Sequence, residues 1–86
     1  MENLLSPEDN KAVIAILTRE LDVQALQLKP EARIEDDLGA DSLTVVEINL
    51  ALEEHFNVTI PDERLERVRT VADVFELIAD SLEQRR

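Results

Sequence analysis

The sequence predicts an all-α domain with three main helices, one short helix and a long first loop. Apolar residues recur at helical spacing in three separate segments of the chain. Its 86 residues include one Gly and three Pro, which is too few for a turn-rich β fold. Hydrophobic residues make up 44% and charged residues 34%, a mixture typical of a folded domain. We therefore expect residues 1–86 to form a single domain around one core.

The first helix is predicted at about residues 7–21. Ser6 is a typical N-cap, and Pro7 suits the first helical position, where its missing N–H costs nothing. The apolar residues of this segment share one helical face: Val13, Ile14, Ile16, Leu17 and Leu21.

A long connection follows, from about residue 22 to residue 41. Pro30 prevents a regular helix across its middle. We expect its apolar side chains to pin the loop to the core: Val23, Leu26, Leu28, Ile34 and Leu38. Gly39, the only Gly in the chain, permits a tight turn just before the next helix. Loops this long within a small domain are often functional.

Two more main helices and one short helix complete the prediction. The second helix is expected at about residues 42–56, and a short helical turn at about 62–65. The last helix opens at Thr70, and Asp73 stands at capping-box spacing from it. Its predicted core stripe consists of Val71, Val74, Phe75, Ile78 and Leu82.

The second helix has two apolar faces. Helical geometry places four apolar residues on the first face: Val45, Ile48, Leu52 and Phe56. We assign this face to the core, with Asn49 at its edge. The opposite face combines large aliphatic residues with two acids: Leu43, Val46, Leu50, Glu47 and Glu54. Scattered surface aliphatic residues are normal, and a central helix can be buried all round. Burial of two unpaired carboxylates is costly, however. We therefore interpret the second face as a docking surface.

Charge narrows the class of partner. The net charge is −11, and no Lys or Arg occurs between Arg33 and Arg64. Such a field repels nucleic acid and anionic lipid surfaces and attracts basic protein surfaces, although an acidic run can also be a plain solvated face.

No apolar stretch approaches the roughly 20 residues that span a bilayer, and no signal peptide is visible. We expect a soluble, cytoplasmic protein without membrane insertion.

Catalytic and metal chemistry are poorly supported. The chain has no Cys and a single His, His55, so thiolate-bound zinc, a cysteine nucleophile and a His-rich metal site are excluded. The acidic pairs lack the loop pattern of a calcium site. We predict no metal ligands and no catalytic residues; a hydrolase acting through Ser42 would lack a base.

Ser42 opens the second helix, where its hydroxyl can serve as a helix cap. A helix N-terminus also stabilises a phosphate, because free N–H groups and the helix dipole favour an anion. A phosphoserine and a phosphodiester-linked group both fit this position, and the residue alone does not decide between them.

The residues around Ser42 resemble the phosphopantetheine attachment motif of acyl carrier proteins. The motif is Asp36-Asp37-Leu38-Gly39-Ala40-Asp41-Ser42-Leu43. The resemblance runs from about Ile34 to Leu82 and includes these further stretches: Val46-Glu47, Ala51-Leu52-Glu53-Glu54, Phe56, Ile60-Pro61-Asp62-Glu63 and Thr70-Val71. Thr44 departs from the pattern, since many fatty-acid carriers have an acid there. So does Asn49, where the family usually has an aliphatic residue. Both departures leave room for a dedicated pathway.

The resemblance implies an acyl-carrier-like helical bundle that is a carrier and not an enzyme. Ser42 would receive 4′-phosphopantetheine from coenzyme A through a phosphopantetheinyl transferase, and the arm's thiol would hold acyl groups as thioesters. The acyl chain of such proteins can lie between the helices. The family's docking positions correspond to Asp41, Leu43, Val46, Glu47, Leu50 and Glu54.

The implied partners are basic-surfaced enzymes of fatty-acid, polyketide or related acyl metabolism, such as ketosynthases and acyltransferases, and the carrier is expected to be a monomer. The alternative is an acidic helical interaction domain that carries no acyl group. In that case Ser42 would be a helix cap or a phosphorylation site.

Overall fold

The computed structural model describes residues 5–85, with side chains described as far as Gln84. The predicted domain of residues 1–86 therefore includes residues 1–4 and 86, which lie outside the described residues. Four α-helices follow one another along the chain: α1 (Pro7–Leu21), α2 (Ser42–Phe56), α3 (Asp62–Leu65) and α4 (Val71–Arg85). Residues 5–85 contain no strand beyond one isolated antiparallel bridge between Arg33 and Thr70. The all-α prediction is confirmed, and the predicted bounds of the helices agree with the observed ones.

Side-chain caps explain where α1 and α4 begin. The Asp9 backbone N–H donates to Ser6 Oγ at 3.1 Å, so Ser6 is the predicted N-cap of α1. At α4 the Asp73 N–H donates to Thr70 Oγ1 at 3.2 Å, and the Thr70 N–H donates to Asp73 Oδ2 at 3.1 Å. This reciprocal pair is the predicted capping box.

The core lies where one face of each long helix meets the others. Its most deeply buried side chains come from all three: Val13, Leu17, Leu52, Val71 and Ile78. Phe75 and Leu82, predicted for the core stripe of α4, are partly buried at its margin. Leu77 and Ser81 are buried although the apolar pattern did not single them out. The Ser81 hydroxyl donates to the Leu77 carbonyl at 2.8 Å, which satisfies it inside the helix.

The long loop contacts the core, with one exception. Ile34 is buried, and three other predicted residues pack against the core: Val23, Leu28 and Leu38. Leu26 is 85% exposed, so its predicted core contact is wrong. The reason is a single 3₁₀ turn over Ala25–Gln27, which the apolar pattern did not predict. The turn is closed by a 2.9 Å bond from the Gln24 N–H to Gln27 Oε1, and its geometry directs Leu26 outward.

Backbone hydrogen bonds tie the same loop to the start of α4. The Ile34 N–H donates to the Arg69 carbonyl at 2.9 Å, and the Val71 N–H donates to the Ala32 carbonyl at 3.0 Å. Gly39 has a φ of 76°, in the left-handed region that glycine adopts without strain, as its place before α2 predicts. None of the described helices is both long and apolar enough to cross a bilayer.

Candidate functional site

Asp41, and not Ser42, caps α2. Asp41 Oδ1 accepts hydrogen bonds from the Thr44 backbone N–H at 2.8 Å and from the Thr44 hydroxyl at 2.9 Å. Ser42 is the first residue of the helix proper. The interpretation of Ser42 as the helix cap is therefore wrong, because the carboxylate one residue earlier already accepts the N–H that a cap would bind.

These hydrogen bonds also lower the pKa of Asp41. The Thr44 backbone N–H is the largest cause and the Thr44 hydroxyl is the next. Both donate to the charged carboxylate and so favour ionisation. A negative charge thus stands beside Ser42 at neutral pH. Thr44, which departs from the pattern of many fatty-acid carriers, has a structural use here as a second donor to the cap.

The Ser42 side chain is exposed, and its hydroxyl has no hydrogen-bond partner within the described part of the chain. A free hydroxyl at a helix N-terminus suits attachment of a phosphate, because the helix dipole favours an anion there. His55, the chain's only His, lies in the last turn of α2. Thirteen residues of helix separate it from Ser42, roughly 20 Å. No imidazole base can therefore reach the Ser42 hydroxyl along this helix.

Ser42 lines the mouth of a solvent-open cleft of about 1240 Å³. The walls come from the long loop, α2, and the segment from α3 to α4. The apolar wall is aliphatic throughout: Ile34, Val45, Val46, Ile48, Leu52, Leu65, Val68, Val74 and Leu77. Charged residues of both signs complete the lining: Arg33, Glu35, Asp36, Asp62, Glu66 and Arg69. Five of the aliphatic wall residues, Ile34, Ile48, Leu52, Val74 and Leu77, are also buried in the core, so an apolar chain would reach them only by displacing core packing.

The second face of α2 is exposed. Leu43, Val46 and Leu50 are 67%, 48% and 54% exposed, and they are three of the four large exposed hydrophobic residues in the described part of the chain. Asp41, Glu47 and Glu54 are exposed beside them. We call these six residues the α2 face. The opposite side of the helix is buried at Ile48, Asn49, Leu52 and Phe56, with Val45 half-buried. The predicted separation of the two faces is confirmed.

Two polar residues of α2 have roles that the helical pattern did not predict. Glu53 Oε2 accepts a 2.8 Å hydrogen bond from the Ile60 N–H, so this acid holds the turn after α2. Asn49 is buried, and its Oδ1 atom has no hydrogen-bond partner among the described residues. An unpartnered buried acceptor costs about 1–3 kcal/mol.

The far wall of the cleft was also missed by the sequence interpretation. Leu65 and Val68 lie in and after the four-residue helix α3, which is too short to show a helical period. An ion pair of 3.0 Å between Arg64 and Asp80 links α3 to α4. Arg64 and Asp80 are sixteen residues apart, so no local sequence pattern predicted this ion pair.

Known proteins of similar sequence and fold agree with this geometry. The family model described as "Phosphopantetheine attachment site" matches residues 11–78. The acyl carrier protein of Helicobacter pylori is 53% identical over 74 residues, which cover 86% of this chain and 91% of that protein. The solution structure of hexanoyl acyl carrier protein from the actinorhodin polyketide synthase of Streptomyces coelicolor has a TM-score of 0.76 and 30% identity, with 100% of both chains covered.

A second similar structure is a chain in the structure of the ishigamide ketosynthase/chain length factor. Its TM-score is 0.73 and its identity 26%, with 91% of this chain and 99% of that chain covered. The extent of the family match and the identity to the relatives show that this chain belongs to the acyl carrier proteins, which are non-catalytic carriers with a covalently attached 4′-phosphopantetheine.

Proposed function

We propose that Ser42 is the attachment residue for 4′-phosphopantetheine and that the loaded protein delivers acyl groups to enzymes of fatty-acid, polyketide or related specialised metabolism. The observation that supports this assignment is the position of one free, exposed hydroxyl. It stands at the first turn of α2 and at the mouth of an aliphatic cleft. When bound, the arm supplies a terminal thiol, which holds the acyl group as a thioester.

The chain's own contribution to attachment is a nucleophilic oxygen in a fixed place. The Ser42 Oγ forms a bond to the 4′-phosphate phosphorus of coenzyme A, the pyrophosphate bond to the 3′,5′-ADP portion breaks, and the hydroxyl proton leaves to a base. Because this chain has no imidazole near Ser42, the base belongs to a phosphopantetheinyl transferase. The Asp41–Thr44 cap holds the first turn of α2 and so positions Ser42.

The cleft would shelter the acyl chain between transfers. Its lining has many aliphatic side chains and no aromatic ring among the described residues. Moving a methylene group from water into such a wall is worth up to about 0.8 kcal/mol, less the packing that it displaces. Val46 belongs both to the cleft lining and to the α2 face, so a docked enzyme would contact the mouth of the cleft directly.

The α2 face is the proposed docking site for the transferase and for acyl-processing enzymes such as ketosynthases and acyltransferases. Its aliphatic residues Leu43, Val46 and Leu50 would supply contact area, and its acids would steer basic partner surfaces toward it. The fold shared with a chain of the ishigamide ketosynthase/chain length factor structure supports a ketosynthase as one partner.

Four further expectations belong to the same proposal. We propose that residues 1–86 form one carrier domain, supported by the match over residues 11–78 and by the similar structure that the chain covers completely. A monomeric state and a cytoplasmic location remain predictions from the sequence. So does the absence of nucleic-acid binding, which rests on the net charge of −11.

Intact-mass spectrometry after incubation with coenzyme A and a broad-specificity phosphopantetheinyl transferase tests the assignment. We expect a gain of one phosphopantetheine on the Ser42 peptide. Ser42→Ala should abolish the gain and keep the helical circular dichroism, whereas Ser6→Ala, at another exposed helix start, should keep both. No gain in a folded sample would favour the interaction domain with Ser42 as a phosphorylation site, and loss of the fold in Ser42→Ala would contradict a purely functional serine.

A further inference from the structure

Asn49 is a buried polar residue that the attachment and docking roles do not use. The residue is 8% exposed, in the middle of α2, and its Oδ1 atom is buried without a hydrogen-bond partner in the described chain. Buried polar atoms in native proteins are nearly always hydrogen-bonded, so this acceptor is available to a donor from outside the chain.

Asn49 lies directly behind the cleft wall. Its neighbours on the helix surface at positions i−4, i−3 and i+3 are Val45, Val46 and Leu52, and all three line the cleft. Side chains in an α-helix lean toward the helix N-terminus, so the Asn49 amide leans over Val45 and Val46, toward the Ser42 end. Asn49 is seven residues from Ser42, about 10 Å along the helix axis. Asn49 does not itself line the cleft, so a chain attached at Ser42 would have to pass between these wall residues to meet the amide.

The chemistry of the unpartnered atom specifies what it binds. A carboxamide oxygen accepts hydrogen bonds and does not donate them. A saturated acyl chain brings no donor into the cleft, whereas a hydroxyl brings one. We propose that Asn49 is a specificity residue that favours hydroxyl-bearing acyl groups by accepting a hydrogen bond at Oδ1. This inference rests on the proposed carrier function, because the cargo must be attached at Ser42.

Asn10 provides a matched comparison within the chain. Its Oδ1 is also buried without a partner among residues 5–84, but it lies on α1, and no residue of α1 lines the cleft. Both residues are asparagines in core-facing positions of long helices. A substitution at Asn10 should therefore change the general stability of the protein without changing its preference among cargoes.

A thermodynamic cycle measures the proposed bond. The wild type, Asn49→Leu and Asn10→Leu would each be loaded with octanoyl or with hydroxyoctanoyl groups, the hydroxyl being at carbon 3, 5 or 7. Mass spectrometry confirms loading, and urea denaturation gives the unfolding equilibrium. The hydroxyl effect is the ratio of the folding equilibrium constants with hydroxyoctanoyl and with octanoyl cargo. For at least one hydroxyl position, we expect this ratio to be about tenfold larger in the wild type and in Asn10→Leu than in Asn49→Leu. A tenfold difference is equivalent to about 1.4 kcal/mol. An equal hydroxyl effect in all three proteins would overturn the proposal.

A second measurement needs no variant. In ¹⁵N-labelled wild type, the Asn49 side-chain amide resonances should move on loading with the favoured hydroxyoctanoyl group and stay in place with octanoyl. The unloaded arm also carries N–H donors, so the arm-bearing protein without cargo is the necessary control. A shift that already appears with the arm alone would overturn the assignment to cargo. Failure of the attachment itself would be seen earlier, as a missing mass gain, and would count against the proposed function instead.

Discussion

Helices α2 and α4 are both fifteen residues long, yet they use their surfaces differently. In α4 the buried residues Val74, Leu77 and Ile78 form one apolar side, and Glu76 and Asp80 on the other side are exposed. In α2 a comparable buried side is accompanied by an exposed aliphatic stripe between acids, the α2 face. A single apolar face suffices to place a helix on a core. The exposed second face of α2 is thus not needed for folding, which is why we propose that it serves binding.

The N-termini of α2 and α4 also differ, because tertiary contacts hold the start of α4 and a local contact holds the start of α2. The start of α4 is joined to the long loop by the Arg33–Thr70 bridge and by the bond from the Val71 N–H to the Ala32 carbonyl. The start of α2 is held by the local contact between Asp41 and Thr44, which leaves Ser42 exposed. One helix end is thus part of the tertiary structure, while the other remains accessible for modification.

The largest expected effect is on stability, through α4. Ile78 is completely buried, so Ile78→Ala should lower the free energy of unfolding by about 3 kcal/mol, more than half of the roughly 5 kcal/mol expected for a domain of this size. Leu50→Ala, on the α2 face, should change it by less than about 0.5 kcal/mol. Urea denaturation compares the two variants. Similar losses in both would mean that the α2 face also stabilises the fold.

The next effect is on docking. Leu43→Ala should lower kcat/KM for loading by a phosphopantetheinyl transferase about tenfold, because a large aliphatic side chain beside Ser42 would be buried in the complex. Leu26→Ala is the matched control, since Leu26 is the one other large exposed hydrophobic residue in the described part of the chain. Loading rates measured by mass spectrometry should stay at the wild-type level for Leu26→Ala. An equal loss in both variants would remove α2 as the specific docking surface.

A smaller and salt-dependent effect is expected from charge. Glu47→Lys should slow loading by about three- to tenfold at low ionic strength, and the loss should shrink as salt screens the long-range attraction. Glu76→Lys on α4 changes the net charge of −11 by the same two units and should have little effect. If both reversals slowed loading equally, total charge and not the α2 face would steer the encounter.

The smallest effect concerns the cap of α2 in acid. The bonds from Thr44 hold the pKa of Asp41 below its ordinary value of 3.8. The stability that this cap contributes is fully present above pH 3.8, the ordinary pKa that Asp41 has in the unfolded chain. It is lost as the pH falls through the lower pKa of the folded state. An NMR titration of the Thr44 amide should show a midpoint below 3.8, and Asp41→Asn should abolish the step. A wild-type midpoint at or above 3.8 would contradict the cap geometry.

Much of the fold was predictable because its determinants are local. Helix starts depend on a cap and the residue three positions later, as at Ser6 and Thr70. The two faces of α2 follow from the helical period alone. Leu26 was mispredicted because its 3₁₀ turn is a local alternative that apolar spacing does not report. The cap of α2 was misassigned because Asp41 and Ser42 are both good N-cap residues and stand next to each other.

Residue type and short-range spacing were enough to predict the helices, the acidic character and the exposed aliphatic face of α2, and the resemblance of the motif around Ser42 supplied the candidate attachment serine. The tertiary structure alone decided that Ser42 lies at the mouth of a cleft and that Leu65 and Val68 form its far wall. It also left Asn49 Oδ1 buried without a hydrogen-bond partner among the described residues. These features arise from contacts between segments distant in sequence, such as the bond from the Ile34 N–H to the Arg69 carbonyl. No periodicity within one helix specifies such contacts, because they depend on how the helices and the long loop pack around a common core.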